Sequence, residues 1–506
     1  MSGPFLSAAW EGLVLVFSWP NILYPIVGTM IAMIFALLPG LSGATLMALA
    51  IPLTFWWDPL PVLLLFGAFV GGATFMGSVA AILFNIPGRT SNAAALLDGH
   101  PLAQQGKAKT ALACAATASA LGSTFGILVL LLLIPVLRGV VMLFGPPEFL
   151  LLTIWGLIAI ASLSRGSLLK GLIMGGLGLL ISFAGFDPRT AELRYTFGSL
   201  HLHEGLDQVP AFLGLFAIAE VLSIVAGGRR TISGVASGAE LSGSVTEGVK
   251  AVFANFGLFL RSAVIGTVIG IIPGVGATVA SLVAYGHAAQ TEGKRGGRFG
   301  HGDLRGVLAP EAAIDAKDGG SLVPTLAFGI PGGTGTAVLL TVLTIHGLTP
   351  GREMLTTNLS LTFVLIWSLF LSNWLTSLLG LALVLPLSKI TTIPIQRIVP
   401  AILVMATVGA YIYRSSFQDV LVCYGFALLG YGLKIFGWPR IPLVIGMVLG
   451  PLFENSFHLS RRLIQLGRID LASRPILLLL VCLTLVSLGL PALGRIRKAY
   501  RGWEES

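Results

Sequence analysis

A pair of adjacent helix breakers, set inside a long apolar stretch, occurs twice in this chain. Pro39-Gly40-Leu41-Ser42-Gly43-Ala44-Thr45 recurs as Pro273-Gly274-Val275-Gly276-Ala277-Thr278, one residue shorter. A second motif follows each copy: Ile86-Pro87-Gly88-Arg89-Thr90-Ser91-Asn92 in the first half, Ile330-Pro331-Gly332-Gly333-Thr334-Gly335-Thr336 in the second. Proline lacks a backbone donor and clashes with the preceding turn, and glycine tolerates unusual dihedrals, so each motif opens a helix in mid-segment. Opened backbone at membrane depth survives only where protein or a polar cavity replaces lipid. Breakers at matching places in two hydrophobic halves are therefore the sequence pointer to a transporter's substrate site.

Composition fixes the solvent. Only 10% of the 506 residues are charged and mean hydropathy is +0.90, where a soluble domain carries about 25% charge. Apolar runs fall at 21–38, 41–57, 60–86, 110–145, 148–164, 167–186 and 207–226, then at 251–272, 275–290, 320–346, 357–388, 395–413, 417–436, 439–457 and 475–493. The expected fold is an all-α polytopic membrane protein of about 10–14 transmembrane helices and re-entrant or broken segments. The expected organisation is an N-terminal segment (1–20), a first transmembrane repeat (21–226), a cytoplasmic linker (227–250), a second repeat (251–436), and C-terminal hydrophobic segments with a basic tail (437–506). Residues 5–19 read as a short span or an interfacial helix, with Glu11 against the former. The alternating pattern of an outer-membrane barrel is absent.

Net charge is +9, but lysine and arginine lie between apolar segments. They set topology and do not form a nucleic-acid patch. The turn after the first Pro-Gly motif, 55–59, has no basic residue; its counterpart, 291–306, has Lys294, Arg295, Arg298 and Arg305. Lys107 and Lys109 follow the first Ile-Pro-Gly motif, and only Arg352 follows the second. Matching loops carry opposite bias, so the two repeats are expected to be inverted. The C-terminus breaks the pattern: 458–474 and 494–506 are both arginine-rich, yet one apparent span separates them. Cys114, Cys423 and Cys482 form neither a disulfide framework nor a metal site. A basic n-region is lacking, so a cleaved signal peptide is not expected.

The freed N–H groups at a half-helix start favour an anion, and freed carbonyls favour a cation. The candidate substrate-binding residues are Ser42, Gly43, Thr45, Gly88, Arg89, Thr90, Ser91, Asn92, Gly276, Thr278, Gly332, Gly333, Thr334 and Thr336, around the breaks at Pro39, Gly40, Pro87, Pro273, Gly274 and Pro331. Arg89 is the candidate carboxylate partner. The hydroxyls suit a hard ion such as Na⁺; a firm metal site is not expected. Glu311, Asp315, Lys317 and Asp318 read either as a charged group lining the cavity, with Asp315, Lys317 and Asp318 coupling an ion, or as part of the cytoplasmic loop, and the loop is preferred. Asp98-Gly99-His100-Pro101 reads as a turn at a helix end. Arg261 and Glu220 are lone charges within spans, candidates for pairing with partners that the sequence does not name. His201 and His203 read as solvated loop residues, since two histidines without a third ligand are weak for metal. ATP-binding, zinc and nucleophile signatures are absent.

At these residues the chain resembles the large membrane subunit of the tripartite tricarboxylate transporters, the TctA type. The resemblance rests on Leu38-Pro39-Gly40-Leu41-Ser42-Gly43-Ala44-Thr45, on 82–88 running into 97–106, on 270–278, on Ala309-Pro310-Glu311 and on 328–333. It implies carboxylate uptake across the bacterial inner membrane, driven by a Na⁺ or H⁺ gradient. It also implies two partners, a small membrane subunit of about four spans and a periplasmic solute-binding protein, and an elevator-like motion. The family usually has two asparagines after the Pro-Glu, where this chain has Ile314 and Asp315, and Thr-Pro after the first Ile-Pro-Gly, where it has Arg89 and Thr90. The expected activity is ion-coupled import of di- and tricarboxylates by a non-enzyme. A partner-independent organic-anion exchanger or channel, and an intramembrane enzyme on lipid-linked substrates, are the alternatives.

Overall fold

The computed structural model describes residues 3–38, 41–85, 88–163, 168–187, 190, 192–227, 242–388, 395–468 and 473–504. The breakers Pro39, Gly40 and Pro87 lie outside these residues. In the first half the helices are α1 (Gly3–Phe17), α2 (Leu23–Leu37), α3 (Gly43–Thr54), α4 (Pro59–Gly72), α5 (Thr74–Phe84), α6 (Ala93–Gln104), α7 (Ala108–Met142), α8 (Pro146–Leu163) and α9 (Leu168–Ser182). A two-stranded antiparallel ribbon follows, β1 (Gly185–Phe186) against β2 (Leu193–Arg194). Then come α10 (Gln208–Phe212), a π-helical stretch (Leu213–Ile218), and α11 (Ala219–Ala226). The second half has α12 (Val245–Ala254), α13 (Phe256–Ile271), α14 (Gly276–Glu292), α15 (Leu304–Phe328), α16 (Thr334–Ile345), α17 (Arg352–Leu355), α18 (Leu359–Ala382) and α19 (Val384–Ser388). It closes with α20 (Ile395–Arg414), α21 (Phe417–Ile435), α22 (Arg440–Gln465) and α23 (Pro475–Glu504).

Among the described residues, five helices are long and apolar enough to cross a membrane: Pro59–Phe84, Ala108–Met142, Gln208–Ala226, Leu359–Ala382 and Arg397–Arg414. The breaks explain some of the shorter ones. α2 and α3, on either side of the first break, have 15 and 12 residues, about 22 Å and 18 Å at 1.5 Å per residue. Neither spans a hydrocarbon core of about 30 Å alone. The apolar run 320–346 is not one segment: α15 ends at Phe328 and α16 begins at Thr334. The expected linker boundary at 250 falls inside α12, which meets α13 at a 77° bend. At the C-terminus, neither α22 nor the apolar part of α23, Pro475–Gly489, qualifies as a span on its own.

Lipid is as apolar as leucine, so close packing and polar links hold such helices together. α15 is gripped from two sides by small-residue faces. On α7, a Cβ at Gly122 would lie 2.5 Å from the Ala312 carbonyl oxygen and one at Gly126 2.2 Å from that of Ala316. On α13, a Cβ at Gly266 would lie 2.2 Å from the Ala313 oxygen and one at Gly270 2.4 Å from that of Lys317. Both faces carry the small-x₃-small spacing, which the apolar runs alone did not single out. Gly126→Val is expected to force the helices apart at a cost of at least about 1–3 kcal/mol, read as a drop in melting temperature of the purified protein; an unchanged melting temperature refutes the grip. α1 lies against α18, with Ser360 Oγ donating to Glu11 Oε2 at 2.6 Å and Trp367 Nε1 to the Ala9 carbonyl at 3.0 Å.

Candidate functional site

In the first half, Ser42 caps α3. The Thr45 amide donates to Ser42 Oγ at 3.1 Å and the Ser42 amide to Thr45 Oγ1 at 3.4 Å, a reciprocal cap that satisfies donors the break leaves open. Thr45 also donates to the Phe216 carbonyl at 3.2 Å, where the π-helical stretch departs from the ordinary ladder. After α5, Asn85 takes a left-handed conformation (φ 56°). The Gly88 amide donates to the Gly77 carbonyl at 3.3 Å. A Cβ at Gly88 would meet Gly77 Cα at 2.7 Å and the Ala36 oxygen at 2.9 Å, so only glycine lets this loop lie between α5 and the end of α2. Asn92 is buried and donates to Ser78 Oγ at 2.6 Å.

In the second half, Gly274 and Gly276 have φ of 77° and 73°, conformations that favour glycine. The Gly274 amide donates to the Gly332 carbonyl at 3.1 Å, joining the two motifs of this half. Gly332 is pressed against Ser321, where a Cβ would come within 2.6 Å. At the start of α16 the Gly333 amide donates to Thr336 Oγ1 at 2.9 Å.

The halves meet where Thr90 and Thr278 share a hydrogen bond of 2.9 Å between their hydroxyls. Beside it the Arg89 guanidinium reaches toward the N-terminus of α3, its Nη2 4.0 Å from the Cβ position of Gly43, with a long 3.4 Å bond from Nη1 to Thr74 Oγ1. The starts of α3, α14 and α16 thus lie in one cluster with a guanidinium. Helix N-termini carry partial positive charge and free amides, so the chemistry of this cluster favours an anion. Its accessible members are Ser42, Gly43, Arg89, Thr90, Gly276, Thr278, Gly333 and Thr334; a Cβ at Gly276 or Gly333 would meet nothing within 4 Å. Thr45, Gly88, Ser91, Asn92, Pro273, Pro331, Gly332 and Thr336 are buried behind them. Two cavities lie elsewhere. One of about 540 Å³ is lined by Gly293, Arg298, Phe299 and His301. The other, about 490 Å³ and almost wholly apolar, is lined by Tyr24, Phe35, Leu49, Phe69 and Met405.

The charges correct several expectations. Glu311, Asp315, Lys317 and Asp318 are not in a loop: they sit inside α15, with Glu311 and Asp315 fully buried and Lys317 paired to Asp318. Glu311 Oε1 accepts from Ser78 Oγ at 2.5 Å, and Ser78 in turn accepts from Asn92. Asp98 lies within α6, not in a turn. Its Oδ1 accepts from the amides of Gly300, Gly302 and Asp303 at 2.8, 2.9 and 2.9 Å, and its Oδ2 from Tyr285 at 2.9 Å. In that loop burial works to raise Asp303, but donors from Arg305 outweigh it and hold the carboxyl below its ordinary value. Arg261 pairs with Glu292 at 2.7 Å, and Glu220 with Lys434 at 2.6 Å and Arg440 at 3.4 Å. His201 is not solvated: its Nε2 lies 3.1 Å from Asp419 Oδ1. Asp187, Glu454 and His458 come within metal-ligand reach of one another, but Arg194 stands 2.6 Å from Glu454 and 3.5 Å from Asp187, so the group is an ion-pair network. Glu148, buried at the start of α8, accepts from Arg474 at 2.7 Å.

Residues 22–445 match the model of the tripartite tricarboxylate transporter TctA family. The chain is 34% identical over 444 residues to an uncharacterised 52.8 kDa protein of the TAR-I ttuC′ 3′ region of Agrobacterium vitis, covering 88% of this chain and 87% of that one. It is also 34% identical over 235 residues to a protein of the TAR-II ttuC′ 3′ region of the same organism, covering 46% of this chain and 96% of that one. No solved structure matches. The family match over most of the length, on a chain of apolar helices broken at both Pro-Gly motifs, makes this a membrane component of tricarboxylate transport that belongs to the TctA family.

Proposed function

We propose that this chain is the large transmembrane subunit of a solute-binding-protein-dependent secondary transporter. It imports di- and tricarboxylates across the bacterial inner membrane on a Na⁺ or H⁺ gradient. The tripartite family name implies partner subunits, and in this reading they are a small four-span membrane subunit and a periplasmic solute-binding protein. The observation that carries the reading is the Thr90–Thr278 junction beside Arg89, where breaks from both halves meet. A guanidinium flanked by helix starts suits a multivalent carboxylate. Opposite loop charge bias in the two halves supports inverted repeats, one moving against the other in an elevator-like cycle.

The test is gradient-driven uptake of a panel of labelled di- and tricarboxylates into proteoliposomes holding the chain and both partners. Uptake of at least one is expected; none under any imposed Na⁺ or H⁺ gradient sinks the proposal, and robust flux from the chain alone favours the partner-independent exchanger. A second prediction concerns motion. In a protein carrying Cys482→Ser, the Thr90→Cys, Thr278→Cys pair is expected to form a disulfide on mild oxidation, since the native hydroxyls stand 2.9 Å apart. Thiol counting with a maleimide reports the bond. Uptake should stop on oxidation and return with reductant; full uptake in the cross-linked protein excludes sliding at this junction.

A further inference from the structure

We propose that the buried carboxyl pair Glu311 and Asp315 on α15 carries the coupling proton, so that H⁺ is the driving ion. The inference rests on the transporter reading above and names its ion and the residues that hold it. Three independent observations support it. First, Asp315 has no exposed surface and no hydrogen bond of good geometry; the Ser119 hydroxyl of α7 approaches it only as a weak donor. Glu311 is equally buried, and its Oε2 is also unpartnered. An ionised carboxylate without a donor in such an interior is far costlier than the neutral acid. The pair must therefore hold a proton or bind a cation.

Second, close packing here disfavours a hydrated or fully ligated cation. A hard cation takes on the order of six oxygens. On both sides of Asp315 the α7 and α15 backbones touch, at Gly122 against Ala312 and at Gly126 against Ala316. A proton needs no shell. The neighbouring charges are largely committed to other partners. Lys317 is bonded to Asp318, Arg261 of α13 to Glu292, and Asp98 of α6 to Tyr285 of α14. His287 of α14 has a buried Nε2 without a partner, and the Cys114 thiol of α7 donates to the Leu304 carbonyl at 3.7 Å.

Third, Glu311 is linked to the break that carries Arg89. The link runs through Ser78 to Asn92, three residues from Arg89 in the same break. Losing the proton from Glu311 changes the charge at the end of this chain, and gaining it restores neutrality. Glu311 and Asp315 are one turn apart on one helix face, so two full charges there repel and a proton on either relieves them. One proton bound with each carboxylate lowers the net negative charge moved by one, and its release on the other face resets the pair.

Infrared spectroscopy of the purified chain in nanodiscs tests this without needing the substrate. At neutral pH the wild type is expected to show a protonated carboxylic acid carbonyl band that Asp315→Asn and Glu311→Gln each alter. Both changes are near-isosteric, and the glutamine oxygen still accepts from Ser78, so monodisperse variants are expected. The absence of any variant-sensitive acid band, or its loss on adding Na⁺ at constant pH, overturns the proposal. In proteoliposomes with both partners, the carboxylates that wild type takes up should enter on an imposed pH gradient without Na⁺, and each variant should lose about tenfold of that uptake. Wild-type uptake that needs Na⁺ and ignores the pH gradient overturns the proton assignment and leaves the transporter reading standing. An acid band with no uptake of any carboxylate overturns the transporter reading instead.

Discussion

Asp98→Ala is expected to be the most damaging single change outside the helix-packing faces, costing about 3–5 kcal/mol of stability. The carboxylate is fully buried and is the acceptor for four donors: the amides of Gly300, Gly302 and Asp303, and the Tyr285 hydroxyl. Gly300 and Gly302 reach this arrangement at φ of 82° and 99°, which turns successive amides toward one anion. Alanine leaves those amides facing an apolar void, and each orphaned donor is expensive. It also detaches α6, from the first half, from the loop that begins α15 in the second. Asp98→Asn keeps the volume but replaces one acceptor oxygen by a donor, so a smaller loss of about 1–3 kcal/mol is expected. Melting curves of the purified variants rank the three proteins. An Asp98→Ala melting temperature equal to the wild type would falsify the latch.

Arg89→Gln is expected to lower the uptake efficiency of a carboxylate about 100-fold, which is about 2.7 kcal/mol, with little change in melting temperature. The Arg89 hydrogen bond to Thr74 is 3.4 Å long, so the protein itself gains little from the guanidinium. What the side chain does is place charge beside the exposed start of α3 at Gly43 and next to the Thr90–Thr278 junction. Arg89→Lys keeps the charge but loses the planar fork that bonds a carboxylate twice, so an intermediate loss is expected. The effect should fall on the apparent KM of uptake more than on its maximal rate. A variant that transports with wild-type KM places the anion elsewhere.

How much of this was legible in the sequence varies by residue. The breaks at Pro273, Gly274 and Pro331 were readable because proline and glycine act on their own backbone, wherever they lie. The caps by Ser42 and Thr336 were partly readable, since hydroxyls next to a break serve as caps and as ligands, and sequence does not say which. Asp98, Glu311 and Asp315 were misplaced. Dense charge over 311–318 looks like a solvated loop because local composition carries no information about what packs around it. The glycine faces of α7 and α13 held the missing signal: helices spaced to let backbones touch leave an intervening helix such as α15 buried whatever it carries. The sequence points to solvent for His201 and names no partner for Glu220 for the same reason, since Asp419 and Lys434 are more than two hundred residues away in the chain.

The sequence alone determined the solvent, the helical class, the repeated interruptions and the family resemblance. These depend on hydropathy summed over a segment and on what proline and glycine do to their own turn. Only the tertiary structure decided which interruptions meet. It joined Thr90 to Thr278, set Arg89 beside the start of α3, and buried Glu311 and Asp315 in α15, whose Ala312 and Ala316 lie against the glycines of α7. Those facts depend on contacts between segments far apart in the chain, whose free energy comes from close packing and polar pairing across helices.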